Sequence, residues 1–150
     1  MKSPLNYFCA LGLTIALFLL LGTGLGIVLA ERISLAYMPP EAWKNTYLAL
    51  VGAGALLSAA LTVTWLFRTR DAGWDLRTAE SQWNTLFGIA AFAAVALFTV
   101  MVVLFRQEGI EGVYYLYLFG ATLGVLPAAF WCNSRFFTRS PFDRAVLWNR

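Results

Sequence analysis

Histidine is absent from the 150-residue chain, and cysteine occurs only twice. Without histidine, bis-His haem ligation, His-containing zinc sites and a His-based triad or acid–base relay are excluded. Most respiratory and quinone-site architectures fall with them. Cys9 and Cys132 stand far apart and form no C-x-x-C pair, which argues against a paired-cysteine oxidoreductase and reads both as small apolar fillers. Charge is the other scarcity. Only 13% of residues are charged, against roughly 25% in soluble domains.

What the chain has instead is apolar length. It is 60% hydrophobic with a mean hydropathy of +0.68. All charges fall at residues 1–2, 31–44, 68–80, 106–111 and 135–150. Four charge-free windows remain, Ser3 to Ala30, Asn45 to Phe67, Ser81 to Phe105 and Gly112 to Ser134, of 28, 23, 25 and 23 residues. Each exceeds the roughly 18 apolar residues that mark a membrane-spanning helix. The pattern predicts an all-α integral membrane four-helix bundle forming one domain, with spans over about 5–30, 46–67, 84–105 and 113–132.

The flanks set the expected orientation. Lys2, the loop arginines Arg68, Arg70 and Arg77, and the tail arginines Arg135, Arg139, Arg144 and Arg150 give eight basic residues on one side, against Arg32, Lys44 and Arg106 on the other. Positive flanks stay cytoplasmic, so both termini are expected in the cytoplasm of a bacterial-type inner membrane. The net charge of +3 reports this orientation and not a nucleic-acid face. A cleaved signal is the competing reading of span one, through Val28-Leu29-Ala30, but the apolar stretch is about twice the usual signal length. Retention is expected.

Pro39 and Pro40 suit the first turn of span two, with Glu41 on the positive end of its dipole. The short segment Arg106 to Gly112 makes spans three and four an antiparallel hairpin. Trp43, Tyr47 and Tyr114, with Tyr115 and Tyr117, are expected as interfacial anchors on the far side, and Trp65, Trp83 and Trp131 on the cytoplasmic side. The inner loop Arg68 to Glu80, with Asp71, Gly73 and Asp75 among its arginines, reads as a solvated connector whose Trp74 dips into the interface. Over 140–149, Ser140 as cap, Pro141 in the first turn and Phe142, Ala145 and Val146 at helical spacing predict a short interfacial helix on the cytoplasmic leaflet. Arg144 and Arg150 would reach lipid phosphates. Partner docking is the alternative use of that face.

No ionisable residue falls inside a span, which weighs against proton-coupled antiport. At the span ends, Glu31 beside Arg32 is expected to pair or snorkel. The spans carry small residues at helical spacing: Gly22-x-x-x-Gly26, Gly54-x-x-x-Ser58-x-x-x-Thr62, Ala90-x-x-x-Ala94 and Gly120-x-x-x-Gly124-x-x-x-Ala128. Such stripes let helix backbones approach closely. They either pack the bundle or face a second chain, the latter most strongly at Gly22, Gly26 and the span-four stripe. Pro127 predicts a kink. The hydroxyls of Thr14, Thr23, Ser58, Thr62, Thr64, Thr85, Thr99 and Thr122 are scattered and can bond their own backbones.

No catalytic, cofactor or metal residue is expected, because the carboxylates Glu31, Asp71, Asp75, Glu80, Glu108 and Glu111 stand singly on the flanks. The leading expectation is a non-catalytic accessory, assembly or scaffold subunit working by protein–protein interaction. Its partners would be membrane lipids and either a larger membrane protein or copies of itself. An oligomeric transporter or flippase for a neutral or lipid-linked substrate is the alternative, and an immunity or exclusion protein a second one.

Overall fold

A computed structural model describes residues 5–32, 39–70, 75–106, 112–138 and 141–146. The expectations placed on Asp71, Gly73, Trp74, Glu108, Glu111, Arg139, Ser140 and Arg150, and on the side chains of Glu31 and Arg32, lie outside the described residues. Four helical rods are long and apolar enough to cross a membrane. Span one is α1 (Leu5–Phe18), a π-helical segment (Leu19–Gly24) and α2 (Leu25–Arg32). Span two is α3 (Pro40–Arg68) and span three is α4 (Leu76–Leu104). Span four is α5 (Gly112–Leu123), a second π-helical segment (Gly124–Ala128) and α6 (Ala129–Phe137).

Local sequence explains the ends. Pro39 is the N-cap of α3 and Pro40 its first residue, where a missing N–H costs no helical bond. Asp75 caps α4 by accepting from the Thr78 N–H at 3.1 Å. The Thr78 hydroxyl and then its backbone N–H hold the Asp75 carboxyl below the usual carboxylate range. These caps start α3 and α4 well before their charge-free windows, so Leu76 to Glu80, expected as loop, is helix.

Spans two and four form the central pair. In each, 44% of the most apolar stretch is buried, against 17% for span one and 22% for span three, which flank the pair. The core is divided along the bundle. At the end where α2, α4 and α5 meet, here the hairpin end, Trp43, Tyr47, Met101, Phe105 and Leu118 are buried together. At the opposite, tail end, Trp65, Trp83, Leu86, Phe130 and Phe142 form a second cluster.

The tail departs from expectation. Its described part, residues 141–146, holds a single 3-10 turn, Phe142–Ala145, where an α-helix was expected. Phe142, Ala145 and Val146 do share a face, but they are buried in the tail-end cluster with Ala79 and Trp83. The apolar face is therefore closed against the bundle and does not lie on a leaflet.

Candidate functional site

The expected small-residue stripes fall into two groups. Gly22 and Gly26 are buried in span one. A Cβ on Gly22 would lie 3.0 Å from the Phe18 ring and 3.5 Å from Val51, and one on Gly26 would lie 3.0 Å from the Tyr47 ring. Gly54 is pressed by Leu97 and Val125, each 3.1 Å from where its Cβ would stand. Ser58 donates to the Leu126 carbonyl at 3.3 Å, tying span two to the proline-bearing segment. A Cβ on Gly124 would collide with Leu21 Cδ1. These five positions meet the chain's own atoms, so of the two readings of the stripes, packing within the bundle is the one seen at Gly22, Gly26 and Gly124. Gly120 faces open space and Ala128 is exposed. They lie on the outer surface of span four.

Of the expected anchors, four turn inward. Trp43, Tyr47, Trp65 and Trp83 are at most 1% exposed and belong to the two core clusters. Tyr114 and Trp131 are half-buried against those clusters. For Tyr47, Trp65 and Trp83 the polar group is satisfied by the protein, whereas Trp43 Nε1 is buried without a partner. The Tyr47 hydroxyl donates to the Leu21 carbonyl at 2.7 Å, Trp83 Nε1 to Ser134 Oγ at 2.9 Å and Trp65 Nε1 to Thr138 Oγ1 at 2.6 Å. Trp43 stacks on Tyr47 with ring centroids 5.5 Å apart.

Pro127, where a kink was expected, lies inside a π-helical turn in which the Ala129 N–H reaches back to the Gly124 carbonyl. Span one carries a matching segment without proline, where the Leu25 N–H reaches back to Leu20. The two segments meet at Leu21 and Gly124.

Between α1 and α3 runs an apolar groove of about 540 Å³, lined by Leu11, Ile15 and Phe18 on one side and Ala49, Gly52, Ala53, Leu56 and Ala59 on the other. Thr14 lies at its floor. Most hydroxyls bond their own helix: Thr14, Thr23, Thr64, Thr85 and Thr99 donate to carbonyls four residues back, and Thr122 to one three back. One polar constellation was not expected. Asn133 Nδ2 donates to Thr14 Oγ1 at 2.8 Å, joining spans one and four, while Asn133 Oδ1 and Thr62 Oγ1 are buried without a partner. Asn133 is the single amide in its charge-free window, and that rarity was the available signal.

Cys9 is exposed on α1 and so fills no core gap, whereas Cys132 is half-buried. Among the described residues, no three His, Cys, Asp or Glu side chains are grouped for a metal. Taken together, the described residues define an all-α, multi-pass membrane protein whose apolar outer faces suit contact with lipid. Compared with protein-family models, curated proteins and solved structures, the chain matches none.

Proposed function

We propose that this is a non-catalytic accessory subunit that receives a transmembrane helix of a larger membrane protein, in a bacterial-type inner membrane with both termini cytoplasmic. The observation that carries this reading is the α1–α3 groove. Most of its α3 wall is small residues, of which Ala49 and Ala53 are exposed while Gly52, against Phe18, and Ala59 are half-buried. Small residues facing outward cost a membrane protein dispersion contacts unless another helix packs there. Gly120 and Ala128 offer a second such face on span four. The skewed placement of basic residues supports the assigned sides.

Purification in mild detergent at native expression is expected to bring down a stoichiometric larger partner. Ala53→Leu, which fills the groove from an exposed position, should abolish that co-purification without lowering the amount of inserted protein. A homo-oligomer with no second protein would overturn the reading. The transporter or flippase alternative draws on one specific feature, the Pro127 π-helical segment beside a buried amide. It would gain from solute or lipid flux in reconstituted vesicles that Pro127→Ala changes.

A further inference from the structure

The two ends of the bundle differ in charge. Residues 68–80 and 135–150 hold seven arginines and four carboxylates, whereas residues 31–44 and 106–111 hold three basic and four acidic side chains. Five of the seven arginines lie among the described residues, on elements that pack together at the tail end. Arg68 and Arg70 stand at the end of α3, Arg77 in the first turn of α4, Arg135 in the last turn of α6 and Arg144 in the tail turn. Arg68, Arg70, Arg77 and Arg144 are exposed and Arg135 is half-buried. The described carboxylates at this end are Asp75, Glu80 and Asp143, and Asp75 is occupied in capping α4 beside Arg77. Cations remain in excess.

Neighbouring rings set the depth of two of these arginines. Phe67 precedes Arg68 and Phe136 follows Arg135, and the rings are 58% and 68% exposed. Spans two and four both run toward this end and touch, so an exposed phenylalanine beside an arginine is presented twice, on adjacent helices. Such a ring is favoured among acyl chains, and the guanidinium next to it then stands at the phosphates, where its planar fork matches a pair of phosphate oxygens. Arg68 gives one of its five donors to the Gln82 side chain, which holds it over α4 and leaves the others to a ligand. Trp65 and Trp83 turn inward, so those indoles do not occupy the headgroup layer here. We infer that the tail end is a recognition surface for phospholipids of net negative charge. Arg68 and Arg135 meet the phosphate, and Arg70 and Arg144 add a positive field that disfavours a headgroup carrying an ammonium. The surface needs only this chain and lipid, so it does not rest on the accessory-subunit reading.

The test is native mass spectrometry of the full chain in mild detergent, with an equimolar mixture of phosphatidylglycerol and phosphatidylcholine of matched acyl chains. Retained lipid is expected to be mainly phosphatidylglycerol. Arg68→Gln with Arg135→Gln should lower that preference about tenfold, since each arginine near an anionic surface is worth roughly fivefold. Arg68→Lys with Arg135→Lys keeps the charge and should retain most of it. Arg70→Gln with Arg144→Gln, at exposed positions that do not put the fold at stake, should lower it as well. Lys44→Gln with Arg106→Gln, at the hairpin end, should leave it unchanged. Equal retention of the two lipids would overturn the surface, as would a preference that survives both glutamine pairs at the tail end or falls equally with the hairpin-end pair. Displacement of phosphatidylglycerol by inorganic phosphate at matched ionic strength would also overturn it, because the arginines would then be reading the free ion. Loss of partner co-purification in Ala53→Leu would leave the lipid ratio unchanged, so the two readings fail separately.

Discussion

Gly120 and Gly124 show how much one helical turn decides. Both belong to the same sequence stripe, yet one opens to the outside and the other is seated on Leu21. Gly124→Leu forces Leu21 and its neighbours out of their rotamers and should destabilise the protein by about 1–3 kcal/mol or more. Gly120→Leu should be near neutral, within about 0.5 kcal/mol. Reversible unfolding in mixed micelles, followed by far-UV circular dichroism, would check the pair. Spacing alone reveals that small residues recur. It does not reveal which of them meets a neighbour, because that depends on how each rod is rotated in the bundle, and the π-helical turn at Gly124 to Ala128 shifts the phase of α6 relative to α5. The tryptophans teach the same lesson. Trp43, Trp65 and Trp83 stand near span ends, where lipid headgroups are the usual partner, but Ser134 and Thr138 supply nearer acceptors for two of them. Those hydroxyls lie on another span, or just past its end, and no local pattern announces the pairing.

At the scale of elements, the start of α3 was legible and the start of α4 was not. Pro39 and Pro40 announce α3 directly. Asp75 reads from its neighbours as part of a solvated loop, although its spacing to Thr78 is that of a cap bonding the third helical residue. The bond gives a pH signature. Because the folded-state value is depressed, the stabilisation from Asp75 is complete above the ordinary value of 3.8 and is lost as pH falls through the lower folded value. Asp75→Asn keeps a capping oxygen and should flatten the acid limb of a thermal-stability profile below pH 4, with little change at neutral pH. An unaltered acid limb would show that the cap does not report on folding. The π-helical segment of span one was not legible, since glycines at Gly22 and Gly24 are common in membrane helices and carry no obligatory distortion.

For the whole molecule, the four rods were fully legible because apolar length and the placement of charge depend on composition alone. The division of the core into two halves was not, since it comes from large aromatics turning inward at both ends while small residues fill the middle. This division predicts separable stability. Phe142→Ala removes a buried ring from the tail-end cluster and should cost about 3 kcal/mol there. Hydrogen exchange should quicken in the first turns of α4 and in α6, and trypsin should cut at Arg144. Protection around Met101 and Leu118, in the hairpin-end cluster, should stay unchanged.

The indole donors of Trp65 and Trp83 find their acceptors 73 and 51 residues later in the chain. During synthesis both N–H groups therefore leave the ribosome long before Ser134 and Thr138 exist to receive them. Until span four arrives, the nascent chain must satisfy them at the wet wall of the translocation machinery or at the lipid surface. One half of the molecule consequently matures last, and an arrest of translation before Ser134 would leave both indoles waiting for their partners.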